Sequence, residues 1–221
     1  MREDLEQQEQ MAAIKGFWRD NGRFIFAAVL VIALGFGGYQ GYQAYAAHQG
    51  EKASRLLTEF EQAIAEQNAT KAEALAASLA ADHEGSMHHA LAAMRMAKSL
   101  VGAGSLEKAA AWLEPIKDHS DEGLAWITRL RLSSLYIDLN QLEKALGVLN
   151  EAEPVEAVLA QVNDRRGDVL VLLGRNDEAR TAWKAALAAW GGEPPKSAAA
   201  DLVSRKLASL PSFMAEPAIR Q

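Results

Sequence analysis

The chain of 221 residues contains no cysteine, which removes disulfides, thiolate chemistry and lipoprotein attachment together and suits an oxidising compartment. It also lacks GxSxG, GxxxxGK[ST] and HExxH, so no common nucleophile, phosphate-loop or zinc-hydrolase signature is present. Clustered basic residues are missing as well. Lys and Arg number 23 against 29 Asp and Glu, a net charge of −6, and nothing in that balance invites nucleic acid or an anionic membrane surface. Residues 1 to 23 hold four bases and five acids, which leaves 19 against 24 for the remainder.

The most consequential absence is local. Between Arg23 and Glu51 there is no Asp, Glu, Lys or Arg, and the run from Phe24 to Ala47 reads FIFAAVLVIALGFGGYQGYQAYAA. Roughly 20 mostly apolar residues cross a hydrocarbon core as one helix, so a transmembrane span is expected over 24–47. Phe17 and Trp18 precede it and Tyr39, Tyr42 and Tyr45 follow, placing amphipathic rings where headgroups would lie. The competing reading is a cleaved signal peptide ending at Ala44-Tyr45-Ala46. The long, acid-containing leading segment fits a signal anchor better. Lys15, Arg19 and Arg23 before the span, against Lys52 and Arg55 after it, favour a cytoplasmic N-terminus with the rest exported. Within the span Ala33, Gly37 and Gly41 recur every fourth residue, a face that lets a second helix approach. The plainer reading is that membrane helices are simply rich in glycine.

Past the span, GEKASRLLTEFEQAIAEQ continues at helical spacing without a breaker. The sequence then repeats itself. In GSLEKAAAWL, NQLEKALGVL and GRNDEARTAW, a Gly or Asn stands five residues before an Ala: Gly104 and Ala109, Asn140 and Ala145, Gly174 and Ala179. Gly and Asn tolerate the left-handed conformation that ends a helix, so each marks a tight helix–helix turn. The alanines lie 36 and 34 residues apart. A two-helix unit of 34 residues resembles the tetratricopeptide repeat. Leu132, Ser133, Tyr136, Ala145, Leu149 and Ala152 fill its large and small places, as do Met96, Ala97, Leu100, Ala109, Leu113 and Ile116 one unit earlier. In the third unit Gly167, Leu170, Ala179, Trp183 and Ala186 match, but Arg166 stands where an apolar residue is usual. Residues 51 to 81 match less well, through Phe60, Ala72 and Leu79.

The fold expected is therefore all-α: one N-terminal transmembrane helix, then a tetratricopeptide-like right-handed α-solenoid with a C-terminal capping helix. Its expected divisions are a tail at 1–23, the anchor at 24–47, and a repeat domain at 48–210. Hairpins are placed near 51–81, 86–117, 121–152 and 155–189, a cap at 196–210 after the GGEPP break, and a loose tail at 211–221. In this repeat class groove residues lie one turn from the packing positions. Carried onto each unit, that gives Met94, Lys98 and Val101, then Leu130, Ser134 and Ile137, then Asp164 and Asp168. Their apolar members suit a peptide or helix ligand, although the chain's own cap is an equal claimant to the groove.

No catalytic constellation stands out, and no cofactor or metal is expected. His83, His88 and His89 with Asp82 and Glu84 form the densest set of ligand-type residues, but adjacent His88 and His89 point to different faces of a helix and no pair sits at i, i+4. The RGD at 166–168 falls inside an expected helix, and the tryptophans at 112, 126, 183 and 190 fall on helical repeats as core residues.

Taken together, FWRDNG at 17–22, the exit YQGYQAYAAHQ at 39–49 and the repeats beyond them resemble the bacterial YfgM-like family of ancillary Sec-translocon subunits. The resemblance implies a single-pass inner-membrane protein with a periplasmic repeat domain. It implies association with the Sec channel and with a membrane-anchored periplasmic chaperone, and help in passing exported proteins to that chaperone network. The alternative is an anchored scaffold for another envelope process, such as cell-wall synthesis or division.

Overall fold

The computed structural model describes residues 2–191 and 197–211. The loose tail and the GGEPP break lie outside these residues apart from Pro211 and Gly191. All regular structure among the described residues is helical. The chain divides into two units, residues 1–54 and 55–221.

The first unit is helix throughout its described part. Helix α1 runs Arg2–Ala65, and the chain has no proline before Pro115, so nothing removes a backbone donor along it. It is the one helix among the described residues long and apolar enough to cross a membrane, and none of its most apolar stretch is buried. Phe24, Phe26, Val31, Ile32 and Leu34 are all exposed, an arrangement suited to an apolar solvent such as lipid.

In the second unit, helix follows helix: α2 Ala69–Asp82, α3 Met87–Gly102, α4 Leu106–Leu113 with a short 3-10 turn Glu114–Ile116, α5 Glu122–Asp138, α6 Leu142–Asn150, α7 Glu156–Leu172, α8 Asn176–Ala189 and α9 Ala198–Ser209. Consecutive helices pack as neighbours, α3 on α4, α5 on α6 and α7 on α8 most extensively. The hairpin turns share one geometry. Gly104, Asn140 and Gly174 have φ of +74°, +55° and +74°. After each, the next residue's N–H returns to the carbonyl five residues back: Ser105 to Leu100 at 2.8 Å, Gln141 to Tyr136 at 2.7 Å and Arg175 to Leu170 at 2.8 Å. Gly104, Asn140 and Gly174 themselves donate to the carbonyls three residues back, and this double closure satisfies carbonyls the helix end leaves open.

The end of α1 closes the same way. Gln67 has φ of +57° and Asn68 N–H returns to the Ala63 carbonyl at 2.9 Å. The Asn68 side chain then caps α2 by accepting from the Lys71 amide. Phe60, Ala72 and Leu79 are fully buried.

The core follows the repeat positions. Ala109, Ala145 and Ala179, each five residues past its turn, are wholly buried, because a larger side chain there would push the helices apart. Leu113, Leu149 and Trp183 fill the next layer, with Trp126 and Leu132 between repeats. Of the other tryptophans, Trp112 and Trp190 are only half-buried.

Two departures from an apolar core have physical accounts. Arg166 donates to the Leu149 carbonyl at 2.6 Å and to Asn163 Oδ1 at 3.2 Å, so the guanidinium caps the carbonyl end of α6, where a positive charge is favoured. Arg129, which unlike Arg166 is buried, reaches Asp118 at 2.5 Å and lies over the Trp126 ring.

Candidate functional site

Two surfaces carry the candidate residues. On α1, the rings of Phe17, Trp18, Tyr39, Tyr42 and Tyr45 are about three-fifths exposed or more. Gln43 donates to the Tyr39 phenol and Gln49 to the Tyr45 phenol, both at 2.8 Å. Each pair sits one turn apart, so the polar end of each ring has a helix-borne partner while its body stays open. Ala33, Gly37 and Gly41 are exposed, and a methyl group added at either glycine meets nothing within 4 Å. The small-residue face is unobstructed.

The second surface is made by the first helices of successive hairpins. Between α3 and α5 lies a cavity of about 430 Å³ whose lining includes Met94, Lys98, Val101 and Ser134, four of the eight residues the repeat register nominates. Ala97, Leu113 and Leu135 give it an apolar floor, and Arg131 and Asp138 stand beside Lys98 as exposed charges on its walls. Leu130 and Ile137 are half-buried and pack against the core. Ser134 is already engaged, donating to the Leu130 carbonyl at 3.0 Å and accepting from Arg165 of α7. That contact ties one first helix to the next.

Asp164 and Asp168 lie elsewhere in the scheme. Lys206 of α9 donates to Asp164 Oδ1 at 2.8 Å and to Asp168 Oδ1 at 2.6 Å, and its ammonium lies 5.8 Å from the centre of the Trp183 ring. Burial pushes the Asp168 carboxyl upward, opposed by the lysine. For Lys206 burial acts downward, but the two carboxylates together outweigh it and hold the ammonium above its usual range. The third segment of the surface is thus occupied by the chain itself, and the open part belongs to α3 and α5.

Two exposed apolar side chains extend that part beyond the nominated residues. Leu91 and Ile127 are each 42% exposed and stand one turn before Met94 and Leu130 on the same helices. Following the i, i+3 spacing one turn further towards each helix start would have found them. The arrangement offers apolar burial and ionic contact. Of the histidine set, His83 ends α2, His88 is half-buried and His89 is buried on α3, and no three ligand-type side chains converge on one point among the described residues.

Residues 15–212 match the family described as a tetratricopeptide repeat-like domain. The chain is also similar to proteins named ancillary SecYEG translocon subunit. It is 31% identical to that of Escherichia coli (strain K12) over 81% of this chain and 86% of the relative. Identity to the protein of Neisseria gonorrhoeae is 27%, over 95% of this chain and the whole of the relative. For Haemophilus influenzae it is 25%, over 84% and 91%.

Proposed function

Since the chain belongs to the tetratricopeptide repeat-like family of ancillary SecYEG translocon subunits, we propose that it works at the Sec channel as a non-enzymatic adaptor with two contact surfaces. Helix α1 anchors it in the inner membrane with residues 1–23 cytoplasmic and the repeat domain periplasmic. The face of Ala33, Gly37 and Gly41 docks on a partner membrane helix. The open groove on α3 and α5 holds a polypeptide partner, and through it the protein helps pass exported chains to a membrane-anchored periplasmic chaperone.

The observation that carries this reading is the pairing of a helix whose most apolar stretch is wholly exposed with a repeat array whose groove is closed at one end by α9 and open at the other. Membrane helices associate by close backbone approach at small residues, and helical arrays bind extended or helical segments on such surfaces.

The test is in-cell crosslinking of the tagged full-length protein, purification in mild detergent, and identification of partners by mass spectrometry. Recovery of SecYEG together with a periplasmic chaperone is expected. Recovery of cell-wall or division machinery without any Sec component would overturn the assignment.

A further inference from the structure

A second cavity, of about 450 Å³, shares no residue with the groove. It is lined by Ala80 at the end of α2, Glu84 in the turn that follows, His89 on α3, Ala111 and Trp112 on α4, and Pro115 in the 3-10 turn. We propose that this cavity receives an arginine side chain of a partner polypeptide.

The argument begins with His89. It is 3% exposed, its Nδ1 is buried with no hydrogen-bond partner, and its ring makes no hydrogen bond to the described residues. A buried polar ring without partners is costly; Nδ1 is closed off, so it is the part of the ring that lines the cavity that an entering donor can meet. Burial holds the imidazole below its ordinary pKa against the opposing pull of Glu84, so near neutral pH it carries a lone pair and can accept a hydrogen bond.

Glu84 supplies the charge. Its position is set by a structured turn: His83 N–H returns to Leu79, Ser86 N–H to His83, Gly85 takes a φ of +71°, and Ser86 caps α3. The Glu84 carboxylate is exposed and has no ion pair among the described residues. Trp112, half-buried, adds an aromatic ring to the lining, and Ala80, Ala111 and Pro115 make the rest of it apolar.

A carboxylate, a neutral imidazole acceptor and an indole face define one ligand chemistry well. The guanidinium is planar, carries five donors and no acceptor, pairs with carboxylates through a fork, and stacks on aromatic rings. Cation–π attraction to tryptophan adds to it. An ammonium lacks the plane, an anion is repelled by Glu84, and an apolar side chain would leave the imidazole unpaired. The site therefore gives the protein a second contact, chemically unlike its apolar groove.

The test uses full-length protein in detergent micelles labelled with 5-fluorotryptophan, with the Trp112 resonance assigned from a Trp112→Phe sample. The probe is acetyl-Gly-Arg-Gly-amide. Saturable movement of the Trp112 resonance is expected with the other tryptophans unmoved. Replacing arginine by uncharged citrulline, or Glu84 by Gln in the protein, should each weaken binding about fivefold or more. Glu84 lies in an exposed turn, so Glu84→Gln keeps the helical circular dichroism of the parent. A Trp112 resonance that does not move, an equal response to the citrulline peptide, or an equal response in Glu84→Gln would each overturn the proposal.

Discussion

Gly167 has no room for a methyl group. A Cβ built there would lie 2.3 Å from the Trp183 indole nitrogen, which donates to the Asp164 carbonyl at 3.2 Å. Gly167→Ala is therefore expected to cost about 1–3 kcal/mol by overpacking, read as a lower midpoint in urea unfolding. The same methyl at Gly37 or Gly41 meets open space and should leave that midpoint unchanged. His89 makes a different prediction. Burial, opposed by Glu84 and aided by His119, lowers its pKa from 6.5, so on acidification the unfolded chain takes up its proton first. Stability should fall as pH drops below 6.5 towards the lower folded value. In His89→Leu that part of the slope should vanish. At this scale the sequence was partly legible. The small place at Gly167 follows from the repeat, but that an indole fills the space, or that His89 has no partner, depends on residues 16 and more positions away in the chain. Arg166 broke the repeat pattern for a reason sequence spacing does not contain, the open carbonyl of Leu149 on the preceding hairpin.

Among the elements, the hairpin turns were the most legible because one backbone requirement, a left-handed residue, selects Gly or Asn. The first hairpin shows the limit of that rule. Its turn has Gln67 at φ of +57°, five residues before the buried Ala72, the same spacing as the other three with an unfavoured residue at the signal position. Gln67→Gly should relieve the Cβ crowding and stabilise the repeat domain by about 1 kcal/mol, seen as a higher melting temperature. Helix α9 is held differently, by burial of Ala200 and Val203 and by Lys206 between two carboxylates. Lys206→Glu would set three acids together in a partly buried site and should cost about 1–3 kcal/mol. Limited proteolysis should then cut within α9 before the other helices. Its amphipathic pattern marked it as a cap, but the choice of Asp164 and Asp168 as its anchors was hidden, since their register also suits a free groove.

For the whole molecule, the membrane face and the groove are separable in experiment. Gly37→Leu with Gly41→Leu should reduce SecYEG recovery several-fold while leaving the melting temperature of the repeat domain unchanged. Met94→Ser with Val101→Ser should leave SecYEG recovery intact and reduce that of the proposed chaperone partner. The long apolar helix was readable because 27 uncharged residues between Arg23 and Glu51 have few other uses, and the all-helical array because its period is fixed. Which part of the groove is open was not readable, because that depends on where the last helix lies down. The placing of α9 also bears on how such a protein changes length over generations. A further repeat stacked on α8 would meet a helix already seated there by Lys206 on Asp164 and Asp168, whereas one inserted between earlier hairpins leaves that seat in place.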